Sequence, residues 1–313
     1  MGHAERPQEA ELAGTFQLQC QESGDHTLMR MPIKLNRAGW PRLLSALPLM
    51  SDDPRSLALG RSGATRESFS QSVSVLKFGT TFKTTLPGRQ PDSNRFLAAR
   101  YAGKAPVVLD IGASDGSTSL DLLGALAGQF GHYFVTDFNI SVRWGVDMRG
   151  RYYFTDASGA CILSASPRWL IYADVGDAPL ALRLLAKRLL SGSRDVSSWE
   201  EILLVHPELV ALAHADPRIT IARHDVFSPW AGMRPDLIKI ANLLNRCYFS
   251  EAKIANALRV QCSALAIGGR LILVENRAER EQFSAFIRTT TSMQLEHSHD
   301  RGSDVAVLVP TSF

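Results

Sequence analysis

Acids close three of the apolar runs in this chain, and the residues around them define the chemistry on offer. Asp110 ends "PVVLD" just before the small-residue turn "IGASDG", in which a second acid, Asp115, stands between Gly112 and Gly116. Asp137 ends "HYFVTD", and Asp225 follows "ITIARH". A carboxylate accepts hydrogen bonds and attracts cations, so acids at these places suit a ligand that brings hydroxyl and ammonium donors and repel one that brings phosphates. The turn also departs from the GxGxxG spacing of dinucleotide sites, with Ser114 as its middle small residue. A fourth run, "PDLIKIANLLN", ends at Ala241 and Asn242, with Asn245 close behind. Both asparagines are open to two readings, as ligand contacts or as side-chain caps of the strand end and the next helix. His224, beside Asp225, is the histidine best placed to face a cleft, and an imidazole titrating near neutrality suits a general base. His206 and His214 are isolated, while His297 and His299 share a strand face without a carboxylate or cysteine to complete a metal set.

The elements that must position these groups follow from hydrophobic patterning. Apolar strands are predicted at Val107–Ile111, Tyr133–Thr136, Ile219–Arg223, Leu237–Ile240 and Arg270–Glu275, with helices at Ser117–Ala127 and Glu251–Ala266. Continuous apolar strands alternating with helices form parallel sheets covered on both faces, and ligands of such sheets sit at the strands' carboxyl ends. The expected fold is α/β, a Rossmann-like, mostly parallel, doubly wound sheet. Two strand-like runs around "RGSD" add a C-terminal antiparallel hairpin. "PDSNRFLAARYAG" reads as a helix capped near Asp92 or Ser93 and stopped at Gly103.

The stretch between Asn139 and Asp216 is too long for a simple connection and predicts an α+β insertion. It should hold a hairpin at "RYYFTDASGACIL" and a helix at "PLALRLLAKRLLSG". The expected division is an N-terminal extension or lid over 1–104, a ligand-binding domain over 105–140 and 216–313, and the insertion, an acceptor-binding subdomain, over 141–215. On the insertion helix Arg183, Lys187 and Arg188 share a side with Leu180 and Leu184. Two readings are open: residues 179–191 lie on an anionic membrane surface, or the apolar side packs on the domain.

Together the strand ends resemble those of the class I S-adenosylmethionine-dependent methyltransferases, whose first motif, an acid and spaced glycines after the first strand, stands here as "LDIGASDGS". The likeness covers about residues 105–138 and 217–313. It implies that Asp110, Gly112, Ala113, Ser114, Asp115 and Gly116 surround the methionine end of the cofactor. Asp137, with Phe138 beside it, would accept from ribose hydroxyls, and Asp225 and Val226 would meet the adenine. Ala241 and Asn242 would lie by the methionine moiety and open, with Asn245, toward the acceptor. The resemblance implies S-adenosylmethionine as cofactor and methyl transfer to a small-molecule, sugar or lipid-linked acceptor at oxygen, by in-line displacement. In that scheme His224 is the candidate base, and Arg143, Arg149 and Arg151 are candidates to meet an anionic acceptor. Rival functions are a cofactor-binding scaffold without catalysis, a peripheral membrane module, and a nicotinamide-dependent oxidoreductase, which the acidic turn opposes.

Composition narrows the partners. With 313 residues, 45% hydrophobic and 21% charged, and a formal net charge of +3, the chain is of ordinary globular type. That charge is small, and no basic and aromatic stripe is visible, so nucleic acid is not an expected partner. Cys20, Cys161, Cys247 and Cys262 lack paired spacing and are expected as reduced thiols. The N-terminus has no apolar leader, and no run approaches the roughly 18 apolar residues of a membrane span, so a cytoplasmic location is expected, with peripheral membrane contact open.

Overall fold

In the computed structural model the chain is described over residues 33–34, 53–60, 65–79, 81–83, 85–174, 180–190, 198–277 and 280–313. About half of the expected lid, residues 1–32 and 35–52, lies outside the described residues. Short elements make up the rest of it: β1 (Ile33–Lys34), α1 (Arg55–Ala58), α2 (Arg66–Ser74), β2 (Lys77–Phe78), β3 (Thr81–Phe82) and α3 (Pro91–Arg100). The cap expected for α3 at Asp92 or Ser93 is replaced by a distant one. The N–H groups of those two residues donate to the Glu281 carboxylate at 2.8 and 2.9 Å, because free N–H groups at a helix start take whichever acceptor the fold brings.

From β4 (Val107–Ile111) the chain follows the expected alternation through α4 (Ser117–Leu126) and β5 (His132–Asp137). The insertion follows, with β6 (Ser141–Val146), β7 (Tyr152–Thr155), β8 (Cys161–Ala165), β9 (Trp169–Tyr172), α5 (Leu180–Leu190) and β10 (Glu200–Leu203). The main domain resumes with α6 (Pro207–Ala215), β11 (Ile219–Arg223), β12 (Leu237–Ala241), α7 (Glu251–Ala264), β13 (Arg270–Arg277), β14 (Arg280–Arg288) and β15 (Met293–His299).

The main sheet has the order β11–β5–β4–β12–β13–β14–β15, with its first five strands parallel and its last two antiparallel. Alternation along β4 shows why its strands are apolar throughout. Val108 joins the core on one face, with Leu97, Leu122 and Tyr133, while Leu109 and Ile111 join the core on the other, with Ile238 and Leu258. The antiparallel edge is present, but it is the β13–β14–β15 meander. The run after "RGSD" instead forms a single 3-10 turn at Ala306–Leu308, following a left-handed Gly302 at φ +74°.

The insertion is a six-stranded antiparallel sheet, β1–β9–β8–β7–β6–β10, so a strand from the N-terminal segment completes it. The expected hairpin is β7–β8, turning at Asp156–Gly159. Its core, including Phe154, Leu163 and Tyr172, is shared with Phe69, Val73 and Leu76 from the α2 region. On α5, Ala186 and Leu190 are buried while Arg183, Leu184, Lys187 and Arg188 are exposed, so the described apolar residues Ala186 and Leu190 face inward. Leu209 of α6 joins the main core.

Cys161 and Cys262 are thiols outside any disulfide, as expected, whereas Cys247 is disulfide-bonded, a pairing that sequence spacing alone does not report. Among the described residues no helix is long and apolar enough to cross a membrane.

Candidate functional site

The turn after β4 is tied down by its own backbone. The N–H groups of Gly112 and Ala113 both donate to the Thr136 carbonyl at 2.9 Å, and that of Ser114 donates to Asp137 Oδ2 at 2.9 Å. Gly116 N donates to Ala113 O, and Ser117 N donates to Asp115 Oδ1. Gly112, Ser114 and Gly116 take left-handed φ values of +75°, +57° and +78°. A phosphate cradle needs free N–H groups pointing at its ligand, and these five are all engaged.

The acids of the motif divide in two. Asp110 and Asp115 face inward, because alternation turns Asp110 to the α4 side of the sheet and the turn folds Asp115 under the start of α4. Asp110 Oδ2 accepts from Tyr133 Oη at 2.9 Å and Ser119 Oγ at 2.8 Å, with Lys239 Nζ 3.7 Å away. Lys239, which could have reached to the surface, is therefore a fully buried partner. Asp115 accepts from Ser70 Oγ and Ser117 Oγ, and burial pushes its carboxyl pKa up against those hydrogen bonds. Asp110, Asp115 and Gly116 thus lie behind the ligand space rather than on it.

That space is a cavity of about 950 Å3 at the carboxyl ends of the strands, at the upper end of the roughly 300–1,000 Å3 range of small-ligand sites. Gly112, Ala113, Ser114, Asp137, Phe138, His224, Asp225, Val226, Ala241, Asn242 and Asn245 all line it. Asp137 Oδ1 accepts from Lys83 Nζ and Asn139 N, each at 2.8 Å, while Oδ2 has only Ser114 N among the described residues. Asp225 Oδ1 accepts from Phe227 N at 3.0 Å. Asn242, left-handed at φ +52°, exchanges hydrogen bonds with Asn276: its Nδ2 donates to Asn276 Oδ1 and its Oδ1 accepts from Asn276 N. Asn245 Oδ1 accepts from Cys247 N, so its side chain also caps the local turn.

Arg143, Arg149 and Arg151 are not at the cavity. Arg143 and Arg149 are exposed, and Arg151 is consumed in the β6–β7 turn by Asp147 at 2.7 Å. Against desolvation, which raises it, hydrogen bonds from Arg151 and Arg149 hold the Asp147 carboxyl down to about 2. The cavity's cations come instead from Lys77, Lys83, Arg89, Arg246 and Arg277. Asn276 was within reach of sequence reasoning, since it stands at the carboxyl end of the fifth strand as Asn242 does at the fourth. Lys83, Arg89 and Gln90 carried no such signal. The insertion contributes Asp156, Cys161, Ile162 and Asp174 to the wall.

Two buried polar atoms on this wall, Ser114 Oγ and Gln90 Oε1, have no hydrogen-bond partner among the described residues. Buried polar atoms are normally satisfied, so these two have hydrogen-bonding capacity to offer a ligand in the cavity. Desolvation holds the His224 pKa below its ordinary value, partly offset by Gln261 and Asp225. His206 is lowered too, first by desolvation, and its Nδ1 accepts from Glu208 N at 3.1 Å to cap α6. Both imidazoles resist protons in the native state, so their contribution is full above the ordinary value of about 6.5 and is lost as pH falls through their lower native values. Asp115, whose carboxyl pKa is raised, slopes the other way, losing stability as pH rises. Urea unfolding at about pH 8 and about pH 5.5 should show a loss on acidification that His206→Gln reduces; an equal loss in the variant would show that the cap is not what titrates.

Neither a protein-family model nor a curated protein matches the sequence. Among solved structures the chain is similar to S-adenosylmethionine-dependent O- and N-methyltransferases. An amino pentose methyltransferase from Micromonospora echinaspora, involved in calicheamicin biosynthesis, is 14% identical over 65% of this chain and 66% of its own, with a TM-score of 0.27. The N-methyltransferase NodS of Bradyrhizobium japonicum, in complex with S-adenosyl-L-homocysteine, is 14% identical over 71% and 73%, with a TM-score of 0.30. The mitomycin 7-O-methyltransferase is 16% identical over 58% of this chain and 35% of its own, also at 0.30.

Proposed function

We propose that the chain transfers the methyl group of S-adenosylmethionine to a small-molecule acceptor. The observation that carries this reading is the division of labour at the strand ends. The turn's N–H groups are spent internally, leaving little for a pyrophosphate, while carboxylates and orphaned polar atoms face the cavity. A cofactor with an amine, a ribose and no phosphate fits that set of acceptors.

In this reading Asp137 Oδ2, with one described donor, accepts from the ribose, and Asp225 and Val226 meet the adenine. Gly112, Ala113, Ser114, Ala241 and Asn242 border the amino-acid end. When bound, the cofactor supplies a methyl group on a sulfonium, which leaves as a neutral thioether. The protein then has chiefly to align the acceptor's lone pair with that methyl and exclude water, and the insertion and the segment around Lys77–Gln90 close the cavity for that purpose. Acceptor binding by the insertion and transfer at oxygen belong to this proposal. His224, at the end of β11 and three strands from β12, stands beside the adenine end; at roughly 4.8 Å per strand it is too far from a proton at the fourth strand to be its base.

Calorimetric titration with S-adenosylmethionine, S-adenosylhomocysteine and NADH tests the reading. The first two should bind and NADH should not; no binding, or a preference for NADH, would overturn it. Asp225→Asn should weaken S-adenosylhomocysteine by about tenfold, the cost of a charge-assisted hydrogen bond becoming neutral.

A further inference from the structure

Charge on the cavity wall is balanced at every cation but one. Lys77 lies 3.9 Å from Asp174, Lys83 2.8 Å from Asp137 and Arg246 3.1 Å from Glu251, while Arg277 pairs with Glu275 at 2.6 Å and with Asp304. Arg89, half-buried, has no ion pair or side-chain hydrogen bond among the described residues, and desolvation alone holds its pKa down. Removing a guanidinium from water without giving it a partner is unfavourable, so an arginine so placed is short of an anion.

Its position says which end of the cavity that anion occupies. Asn276 Nδ2 donates to the Arg89 carbonyl at 2.7 Å, and Asn276 is itself joined to Asn242, so Arg89 is fastened over the carboxyl ends of β12 and β13. Asp137 and Asp225 lie on the other side of β4, after β5 and β11. The adjacent N-terminus of α3 is not an alternative anion site, because Glu281 already accepts from it. Beside Arg89, Gln90 is 1% exposed and lines the same cavity, its Oε1 without a hydrogen-bond partner among the described residues; as an acceptor it offers nothing to the anion, which rests on Arg89.

We propose that Arg89 binds an anionic group, a carboxylate or a phosphate, on the methyl acceptor. Calling this ligand the acceptor rests on the methyltransferase reading; the anion subsite rests on Arg89 alone. The surrounding wall offers aromatic surface from Phe82, Phe227 and Phe249, so small aromatic anions are suitable probes.

The test is calorimetric titration of the full chain, alone and saturated with S-adenosylhomocysteine, with benzoate, phenyl phosphate and neutral benzyl alcohol, in the wild type, Arg89→Gln and Arg89→Lys. At least one anion should bind about tenfold or more tighter than benzyl alcohol, Arg89→Gln should erase the difference, and Arg89→Lys should restore part of it. The thermal midpoint should not change, since the replaced group has no described partner to lose. Anions binding no tighter than the alcohol, or discrimination that survives in Arg89→Gln, would overturn the proposal. So would an Arg89→Gln loss confined to S-adenosylhomocysteine, with 5′-methylthioadenosine unaffected, because Arg89 would then hold the cofactor's own carboxylate. Arg89-dependent anion binding in a protein that ignores S-adenosylhomocysteine would support the subsite while overturning the cofactor reading.

Discussion

Lys239→Met should lower the free energy of unfolding by about 3–5 kcal/mol, the cost of breaking a buried ion pair from one side. Lys239 is 0% exposed and sits opposite Asp110 in the β4–β12 register, with Nζ 3.7 Å from Oδ2 and 3.5 Å from the Thr118 carbonyl. Without the ammonium, the carboxylate keeps its hydrogen bonds from Tyr133 and Ser119 but loses the charge that balances it in a low-dielectric core. Lys239→Met combined with Asp110→Leu should recover much of the loss, since neither charge is then left alone; the recovery stays partial because two hydroxyls lose their acceptor. Urea titration of the three proteins followed by circular dichroism reads this directly. A loss below about 1 kcal/mol would put the pair with solvent-screened surface bridges. The same experiment separates Asp110 from the ligand: where the double variant is folded, its affinity for S-adenosylhomocysteine should match the wild type.

That contrast shows what was legible in the sequence. Apolar runs report strands and their order, and an acid after the last buried residue of a strand reports the cavity, as Asp137 and Asp225 do. The rule fails at Asp110 because that residue lies inside β4, where alternation and not proximity to the turn sets its direction. Its partner was visible as an odd lysine in "LIKIA", but pairing the two required the register between strands distant in sequence. The arginines of the insertion were misread for a related reason: Arg151 is answered locally by Asp147, four residues away. The N-terminal wall was out of reach altogether, since β2 and β3 have two residues each and too short a pattern to show a period. The six-stranded insertion sheet was legible only in part, since β6–β7, β7–β8 and β8–β9 are local hairpins while β1 and β10 join from afar.

Gly116→Ala should destabilise the fold by about 2–5 kcal/mol, combining about 1–2 kcal/mol for a side chain in the left-handed region with about 1–3 kcal/mol of overpacking. At φ +78°, a Cβ would lie 2.3 Å from Leu209 Cδ2 and 3.6 Å from Val205 Cγ1, so the glycine is the place where α6 and its leading residue press on the start of α4. Leu209→Ala in the same chain should abolish the packing part and leave the conformational part, and a four-protein unfolding cycle separates them. Gly112 differs although it belongs to the same motif. Its Cβ would meet Leu243 at Cδ2 (2.7 Å) and at Cβ and Cγ (3.2 Å), a side chain that lines the cavity, so Gly112→Ala should act on ligand affinity as well as on the backbone. One glycine therefore shapes the packing behind the turn and the other the space in front of it. Loss of S-adenosylhomocysteine binding by Gly116→Ala at unchanged stability would reverse that assignment and return Gly116 to the ligand.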